Sequence, residues 1–253
     1  NLTMKTVVIT GGATGIGLAI AECFLSNRWQ VMITSRNIDR LTQVKEELSK
    51  RYGDDLIDCF QADVSNEADV IGLQKKTNER FGKADVIVNN AGIAVWKHVH
   101  EMEVNDWDKI FNTNVRGSFL VSKAFLPEMM EAHRGAIVHI SSVSGLCGDY
   151  GMTAYNASKA AIVNMTRSMA LSYGKYGIRV NCVAPGPTNT SMFPQELKKV
   201  FSKNSPLERI VEPDEVAKAV FFMATDASSA ITGETIPVTA GFEISTGQPK
   251  MID

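Results

Sequence analysis

Short β-branched or apolar runs alternate with longer helical patterns along nearly the whole chain, and that alternation admits few folds. The runs are Thr6 to Thr10, Gln30 to Thr34, Leu56 to Gln61, Ala84 to Asn89, Ala136 to Ile140, Arg179 to Val183 and Glu234 to Val238. Between them fall helical segments over Gly15 to Arg28, Asn37 to Tyr52, Glu67 to Phe81, Trp107 to Met130, Ala154 to Tyr176 and Pro213 to Ala224. Strands separated by helices make βαβ units around a parallel sheet. Several runs are apolar without alternation, as strands covered on both faces are. The expected fold is therefore α/β, a doubly wound parallel sheet of about seven strands with helices on both faces.

Nothing divides the chain. No Pro/Gly/Ser linker, internal repeat or low-complexity tract interrupts its 253 residues, so one domain over 1–253 is expected. The stretch from Pro187 to Pro206 fits neither a strand nor a long helix, and an irregular segment of that length in a compact domain suits a substrate lid. The charge balance, 26 Lys+Arg against 28 Asp+Glu, gives −2 and no footprint for nucleic acid or an anionic membrane. At 44% hydrophobic and 21% charged the composition is globular. Apolar runs are far shorter than the roughly 20 residues that span a bilayer, and no secretory opening is present. Asn1-Leu2-Thr3, ahead of Met4, is given no structural weight. Cys23, Cys59, Cys147 and Cys182 form no C-x-x-C pair, so they are read as free thiols of a cytoplasmic protein.

The first run leads directly into Thr10-Gly11-Gly12-Ala13-Thr14-Gly15-Ile16-Gly17 and then an apolar helix. Glycines are needed where the backbone turns sharply, approaches a phosphate, or packs a helix closely on a strand. The free N–H groups and positive dipole of the helix N-terminus then face the pyrophosphate. A strand before the turn and a helix after it are the context a dinucleotide site requires, and they make the sheet Rossmann-type.

Tyr155 and Lys159 are four residues apart, so a helix puts them on one face. A phenol titrates near 10 and works at neutral pH only if its ionised form is stabilised; an adjacent ammonium supplies that. This pattern predicts Tyr155 as acid/base with Lys159 beside it. Ser142 closes a strand at its carboxyl end, where open α/β sheets bind ligands, and its hydroxyl is suited to orient a carbonyl.

These features, with Asp63-Val64, Asn89-Asn90-Ala91-Gly92, Asn114 and Pro185-Gly186, arrive in an order that resembles the classical short-chain dehydrogenase/reductase family from Thr10 to about Gly241. The resemblance implies that Ser142, rather than Ser141, joins Tyr155 and Lys159 in catalysis. It implies too that Asn114 lies on locally irregular helix backbone that binds a water linking Lys159 to solvent. The cofactor residues it implies are Gly11, Thr14, Gly15, Ile16, Gly17, Ser35, Arg36, Asn37, Asp63, Val64, Asn90, Ala91, Gly92, Tyr155, Lys159, Pro185, Gly186, Thr188 and Thr190. Asp63 and Val64 would border the adenine, and Asn90 would lie near the cofactor ribose.

An acid after the second strand accepts from the adenosine ribose hydroxyls, whereas a base there favours a 2′-phosphate. The chain reads Thr34-Ser35-Arg36-Asn37, with no acid at that point. Arg36, helped by Ser35 and Asn37, is expected to pair with the phosphate and select NADP(H). NAD(H) is the alternative if Arg36 is a solvated charge paired with Asp39.

Substrate contacts are expected from Val143 to Met152, Ala94 to Trp96, Met192 and Phe193. These positions lack an arginine to clamp a carboxylate, which favours an uncharged ketone, aldehyde or polyol. A 3-oxoacyl-[acyl-carrier-protein] reductase is the alternative, with Arg134, Lys175 and Lys123 as docking cations. A non-catalytic nucleotide sensor is a third reading, against which the intact Ser142, Tyr155 and Lys159 argue. The pair His98 and His100 lacks further ligands, so no metal is expected, and His139 is read as a satisfied core group. Apolar residues on several helix faces, among them Val121, Phe125, Leu126 and Met129, predict burial beyond the sheet; relatives pair these helices, so a homotetramer is expected. Two departures from the family pattern stand out. Thr239-Ala240-Gly241 replaces Asp-Gly-Gly, and Tyr150 replaces a proline and could narrow the pocket.

Overall fold

The computed structural model describes residues 4–248; the three residues ahead of Met4 lie outside them. Seven strands form one parallel sheet, β1 (Thr6–Thr10), β2 (Gln30–Ser35), β3 (Ile57–Gln61), β4 (Val86–Asn89), β5 (Gly135–Ile140), β6 (Ile178–Pro185) and β7 (Thr235–Val238). Their order is β3-β2-β1-β4-β5-β6-β7. The chain winds outward in one direction from β1 to β3, then returns to β4 and winds the other way. The direction reverses between β1 and β4, which pair in parallel through Val7–Val86, Val8–Ile87 and Ile9–Val88. At such a switch point the loops leaving the two carboxyl ends diverge and leave a crevice.

Helices cover both faces. α1 (Gly15–Ser26), α2 (Ile38–Tyr52) and α8 (Pro213–Ala224) pack Ile20, Phe24, Leu41, Val44, Val216 and Val220 against Val7, Ile9, Val31 and Ile33. The opposite face of the same strands, Val8, Met32 and Ile87, meets Val70 and Leu73 of α3 (Glu67–Phe81) and Leu120, Val121 and Phe125 of α5 (Gly117–Ala132). Neighbouring residues such as Val7 and Val8 are thus buried on opposite sides, which is why the strands read as unbroken apolar runs. α8 begins with Pro213 in its first turn, and Glu212 and Glu215 form a reciprocal capping box there.

Two helices differ from the sequence expectation. The segment expected over Trp107 to Met130 is α4 (Val104–Phe111), a π-helical turn over Asn112–Arg116, and then α5. The segment expected over Ala154 to Tyr176 is α6 (Thr153–Tyr173) closed by a 3₁₀ turn over Gly174–Tyr176. The stretch from 187 to 206 contains α7 (Gln195–Lys203), a short amphipathic helix with Leu197 and Val200 exposed. Among the described residues no helix is long and apolar enough to cross a membrane.

The apolar helix faces expected to need a partner are covered by the chain itself. Val121, Phe125, Leu126 and Met129 are all buried within the chain's own core, because the β4–β5 surface and α3 wrap α5 more fully than one sheet face would. The large apolar side chains that α5 and α6 leave exposed are Phe119, at 51%, and Leu171, at 87%.

Candidate active site

The glycine turn is built as close packing requires. Gly11 (φ +63°) and Gly15 (φ +53°) lie in the left-handed region that favours glycine. A Cβ on Gly17 would sit 2.0 Å from the Gly11 carbonyl oxygen, so α1 can start this close to the strand only with glycine there. Thr14, at the N-cap of α1, makes no side-chain cap hydrogen bond, and the first turn holds no acid. The leading N–H groups of α1 are left to face an anion.

β4 braces this turn from the side. The Thr10 hydroxyl oxygen accepts from the N–H groups of Asn90 and Ala91 at 3.0 Å each. The Asn90 amide donates to the carbonyls of Thr10 at 3.1 Å and Gly11 at 3.2 Å. Asn90, expected near the cofactor ribose, uses its amide donors to shape the glycine turn. Thr10 is a supporting residue that the sequence reading passed over; its signal was a hydroxyl at the last position of the strand before the turn.

Gly11, Thr14, Ser35, Arg36, Asp63, Val64, Ala91 and Gly92 come together around a cleft of about 190 Å³, joined by Thr34, Ala62, Ile93 and Thr113. The last four were not foreseen, although each adjoins a residue that was. Arg36 is exposed and forms no ion pair among the described residues; its backbone carbonyl accepts from Gln61. The Asp39 partner considered as an alternative is therefore not engaged. Asn37 instead caps α2, its side chain accepting from Arg40 N at 3.0 Å. Burial raises the Asp63 carboxyl, but the Ser65 hydroxyl and N–H and the Arg36 charge outweigh it and hold it below the usual carboxylate range.

Thr190 approaches the turn from the lid side, its Cγ2 lying 3.4 Å from where a Gly15 Cβ would be. Thr188 is turned back on its own loop and donates to Gly186 O at 2.8 Å. Gly186 in turn packs against Thr239, which would lie 2.9 Å from a Cβ. Thr239 caps the next turn by accepting from Gly241 N at 3.1 Å, and Ala240 there takes φ +56°.

The catalytic candidates meet where β5 ends. Ser141 and Ser142 follow the strand, and their hydroxyls do different work. Ser141 Oγ donates to Lys159 O at 2.7 Å and ties the strand end to α6. Ser142 Oγ accepts from Ser144 N at 3.1 Å and reaches the Tyr155 hydroxyl. Gly145 permits this junction, since a Cβ there would lie 2.5 Å from Ser141 Oγ and 2.7 Å from Lys159 O.

Lys159 is buried, and its ammonium donates to Ile140 O at 3.0 Å. It stands 5.7 Å from the centre of the Tyr155 ring. Burial lowers its pKa to about 8. Burial raises the Tyr155 hydroxyl, Ser142 lowers it, and the Asp149 carboxylate raises it again, so the net direction is upward. Lys159, turned toward Ile140, does not offset the desolvation.

Asn114 lies in the π-helical turn and is buried. Its Oδ1 accepts from Ile93 N at 2.8 Å, and its Nδ2 donates to Ile93 O at 2.9 Å and Ser158 Oγ at 3.0 Å. One amide thus joins the loop after β4 to the residue beside Lys159. A Cβ on Gly92 would fall 3.3 Å from Lys159 Nζ and 3.4 Å from Asn114 Oδ1, so glycine keeps this space clear.

His139 is not the satisfied core group that was expected. Its Nδ1 lies 3.2 Å from Asn89 Nδ2, but its Nε2 has no partner among the described residues, and burial lowers its pKa to about 4. Tyr150 does not narrow the pocket; its side chain is fully exposed. His98 and His100 stack at 6.0 Å on the surface, and among the described residues no group of three or more His, Cys, Asp or Glu could hold a metal ion.

A profile of the enoyl-(acyl carrier protein) reductase family matches residues 11–243. Meso-2,3-butanediol dehydrogenase of Serratia marcescens is 38% identical over 98% of this chain and 98% of its own length. The 3-oxoacyl-[acyl-carrier-protein] reductase of Thermotoga maritima is 35% identical over 96% of this chain and 100% of its own. A solved structure of ElxO with NADP bound superposes with a TM-score of 0.90 at 33% identity, covering 96% of this chain and all of that one. A parallel Rossmann sheet whose switch-point cleft adjoins a serine, a tyrosine and a lysine defines a nucleotide-dependent oxidoreductase acting on CH–OH or C=O groups. The chain belongs to the short-chain dehydrogenase/reductase family.

Proposed function

We propose that the protein uses NADP(H) to interconvert an uncharged carbonyl compound and its secondary alcohol. The observation that carries this reading is the junction of Ser142, Tyr155 and Lys159 at the end of β5, one loop away from a cleft that has Arg36 at its rim. The cleft fits a dinucleotide: the uncapped start of α1 suits the pyrophosphate, Asp63 and Val64 suit the adenine side, and the free guanidinium of Arg36 suits a 2′-phosphate. Gly92 leaves room beside Lys159 for a ribose, whose hydroxyls the ammonium can hold.

A bound nicotinamide supplies or accepts the hydride and, when oxidised, adds a positive charge to the site. The chain's own residues do the rest. The Ser142 hydroxyl holds the substrate oxygen next to the Tyr155 hydroxyl. Tyr155 gives its proton to that oxygen in reduction and takes it back in oxidation. Lys159, held by Ile140 O and by the Ser141 bond to its own carbonyl, would steady the phenolate only together with the positive charge of an oxidised nicotinamide. Asn114 holds the π-helical turn open beside Lys159, and water bound there would carry the proton to solvent. The contribution is positioning and polarisation, with no covalent intermediate on Ser142, since no histidine stands beside it.

We take the whole chain as one domain, with 187–206 as the lid over the substrate. A cytoplasmic setting is supported by the four free cysteines. Assembly into a homotetramer is supported by Phe119 and Leu171 on the outer faces of α5 and α6. Of the cations considered for carrier-protein docking, Lys123 is paired with Glu67 at 2.7 Å and Arg134 with Asp85 at 3.4 Å, while Lys175 is exposed and forms no ion pair among the described residues.

The test is a fluorescence titration with NADPH and NADH, followed by turnover of uncharged ketones. Preferential NADPH binding with carbonyl-dependent oxidation of NADPH is expected. Binding of neither nucleotide would overturn the reading.

A further inference from the structure

The loop after β4 belongs to both halves of the site. Ala91, Gly92 and Ile93 line the dinucleotide cleft, as does Thr113 from the π-helical turn. Both backbone groups of Ile93 are held by the Asn114 amide, whose Oδ1 accepts from Ile93 N at 2.8 Å and whose Nδ2 donates to Ile93 O at 2.9 Å. One Nδ2 hydrogen is left, and it goes to Ser158 Oγ at 3.0 Å. The amide cannot turn over in this place, because its nitrogen faces two oxygens and its oxygen faces an N–H.

Ser158 passes the contact on. A hydroxyl carries one proton, and with its oxygen accepting from Asn114 that proton is donated to Tyr155 O at 2.8 Å, back along α6. Ser158 is fully buried, so bulk water does not take over either bond. Other hydroxyls of α6 also donate to carbonyls of their own helix, Thr166 to Ile162 O at 2.8 Å and Ser172 to Ser168 O at 2.9 Å. Among the described residues, the Ser158 hydroxyl is the side chain of α6 that is hydrogen-bonded to the π-helical turn. The start of α6 has no side-chain cap and no acid in its first turn, so its placement relies on such cross-contacts. Ser141 ties it to β5 through Lys159 O, and Ser158 ties it to the cofactor loop through Asn114.

We propose that Ser158 is a positioning residue for the reaction: its hydroxyl holds the part of α6 that carries Tyr155 against the loop that lines the cofactor cleft, and so fixes the phenol relative to the nucleotide. The inference rests on the carbonyl-reductase reading above and adds a group that touches neither substrate nor cofactor. Without this hydroxyl the Asn114 donor is buried with no partner, and the start of α6 is free to shift relative to Gly92 and Ile93. A shift of a fraction of an ångström slows a reaction that depends on positioning while leaving binding intact.

The experiment compares the wild type with Ser158→Ala and with Thr166→Val, which removes a buried hydroxyl from the same helix about two turns further on. Enzyme in excess over NADPH is mixed with saturating ethyl acetoacetate, or with the best substrate of an uncharged-ketone panel, and the loss of NADPH absorbance is followed through one turnover. In Ser158→Ala the rate constant should fall about fivefold to tenfold, while the amplitude and the NADPH dissociation constant stay within about twofold of the wild type. Thr166→Val should keep the wild-type rate constant. A merely structural role would lower the amplitude, through loss of folded enzyme, and leave the rate constant alone. A wild-type rate constant in Ser158→Ala, or the same fall in Thr166→Val, overturns the role of Ser158 and leaves the carbonyl-reductase reading standing. Absence of ketone-dependent NADPH oxidation in the wild type, with NADPH bound, overturns both.

Discussion

Ser141 Oγ donates to the carbonyl oxygen of Lys159 at 2.7 Å, and this bond fixes the height of α6 above the end of β5. Neighbouring serines thereby divide the work, one holding the helix that carries Lys159 and the other facing the Tyr155 hydroxyl. Ser141→Ala should lower stability by about 1 kcal/mol, the worth of one buried hydrogen bond, and leave most of the turnover. Ser142→Ala should lower kcat by about 100-fold with little loss of stability. Urea unfolding and steady-state kinetics of both variants check the division; the opposite assignment of losses would reverse it.

Arg36 should be read through nucleotide affinity. Its guanidinium forms no ion pair among the described residues, so Arg36→Asp removes a charge-assisted contact to the 2′-phosphate and places a repelling charge there. The NADPH dissociation constant should rise about tenfold to 100-fold while that for NADH changes little. Equal effects on the two nucleotides would mean that Arg36 does not read the phosphate.

Ala240 holds φ +56°, in a region that costs a residue with a Cβ roughly 1 kcal/mol or more. Ala240→Gly should relieve that strain and raise the melting temperature by about 2–4 °C, the change 1 kcal/mol brings in a chain of this size. Thermal unfolding followed by circular dichroism measures it. An unchanged or lower Tm would show that the turn at Thr239–Gly241 is not strained.

Two pH effects follow from burial. His139 titrates near 4 instead of 6.5, so the unfolded chain binds its proton more readily than the folded one. Stability should therefore be complete above pH 6.5 and fall as pH drops from about 6.5 toward 4, by about 3 kcal/mol over the range. His139→Gln should flatten that part of the stability profile. At the active site, Tyr155 must donate a proton for reduction, so reduction should fall and oxidation should rise as pH climbs through its titration. Because the Asp149 carboxylate raises the phenol, Asp149→Asn should move the oxidation limb to lower pH. A limb that stays in place would separate Asp149 from Tyr155.

The sheet was legible in the sequence because strand and helix periods differ and alternate cleanly. The glycine turn was legible because Gly11, Gly15 and Gly17 answer local demands of backbone geometry. Tyr155 and Lys159 could be paired since four residues make one helical turn. What failed was orientation and reach. The apolar faces of α5 looked like surplus surface because periodicity does not show how far α3 and the β4–β5 surface wrap them. The turn of the Lys159 ammonium to Ile140 O was not visible, because spacing shows that Lys159 is near Tyr155 and not where its ammonium points. Asn90 and Thr190 lie far in sequence from the glycine turn, and only the folded chain shows one bracing it and the other approaching it.

The central claim is that Tyr155 moves the proton while the dinucleotide cleft works independently of it. The most direct measurement compares Tyr155→Phe with the wild type in NADPH titration and in ketone-dependent NADPH oxidation. The account predicts an NADPH dissociation constant within about threefold of the wild type and a turnover lowered by about 100-fold or more. Ketone reduction by Tyr155→Phe at close to the wild-type rate would contradict it.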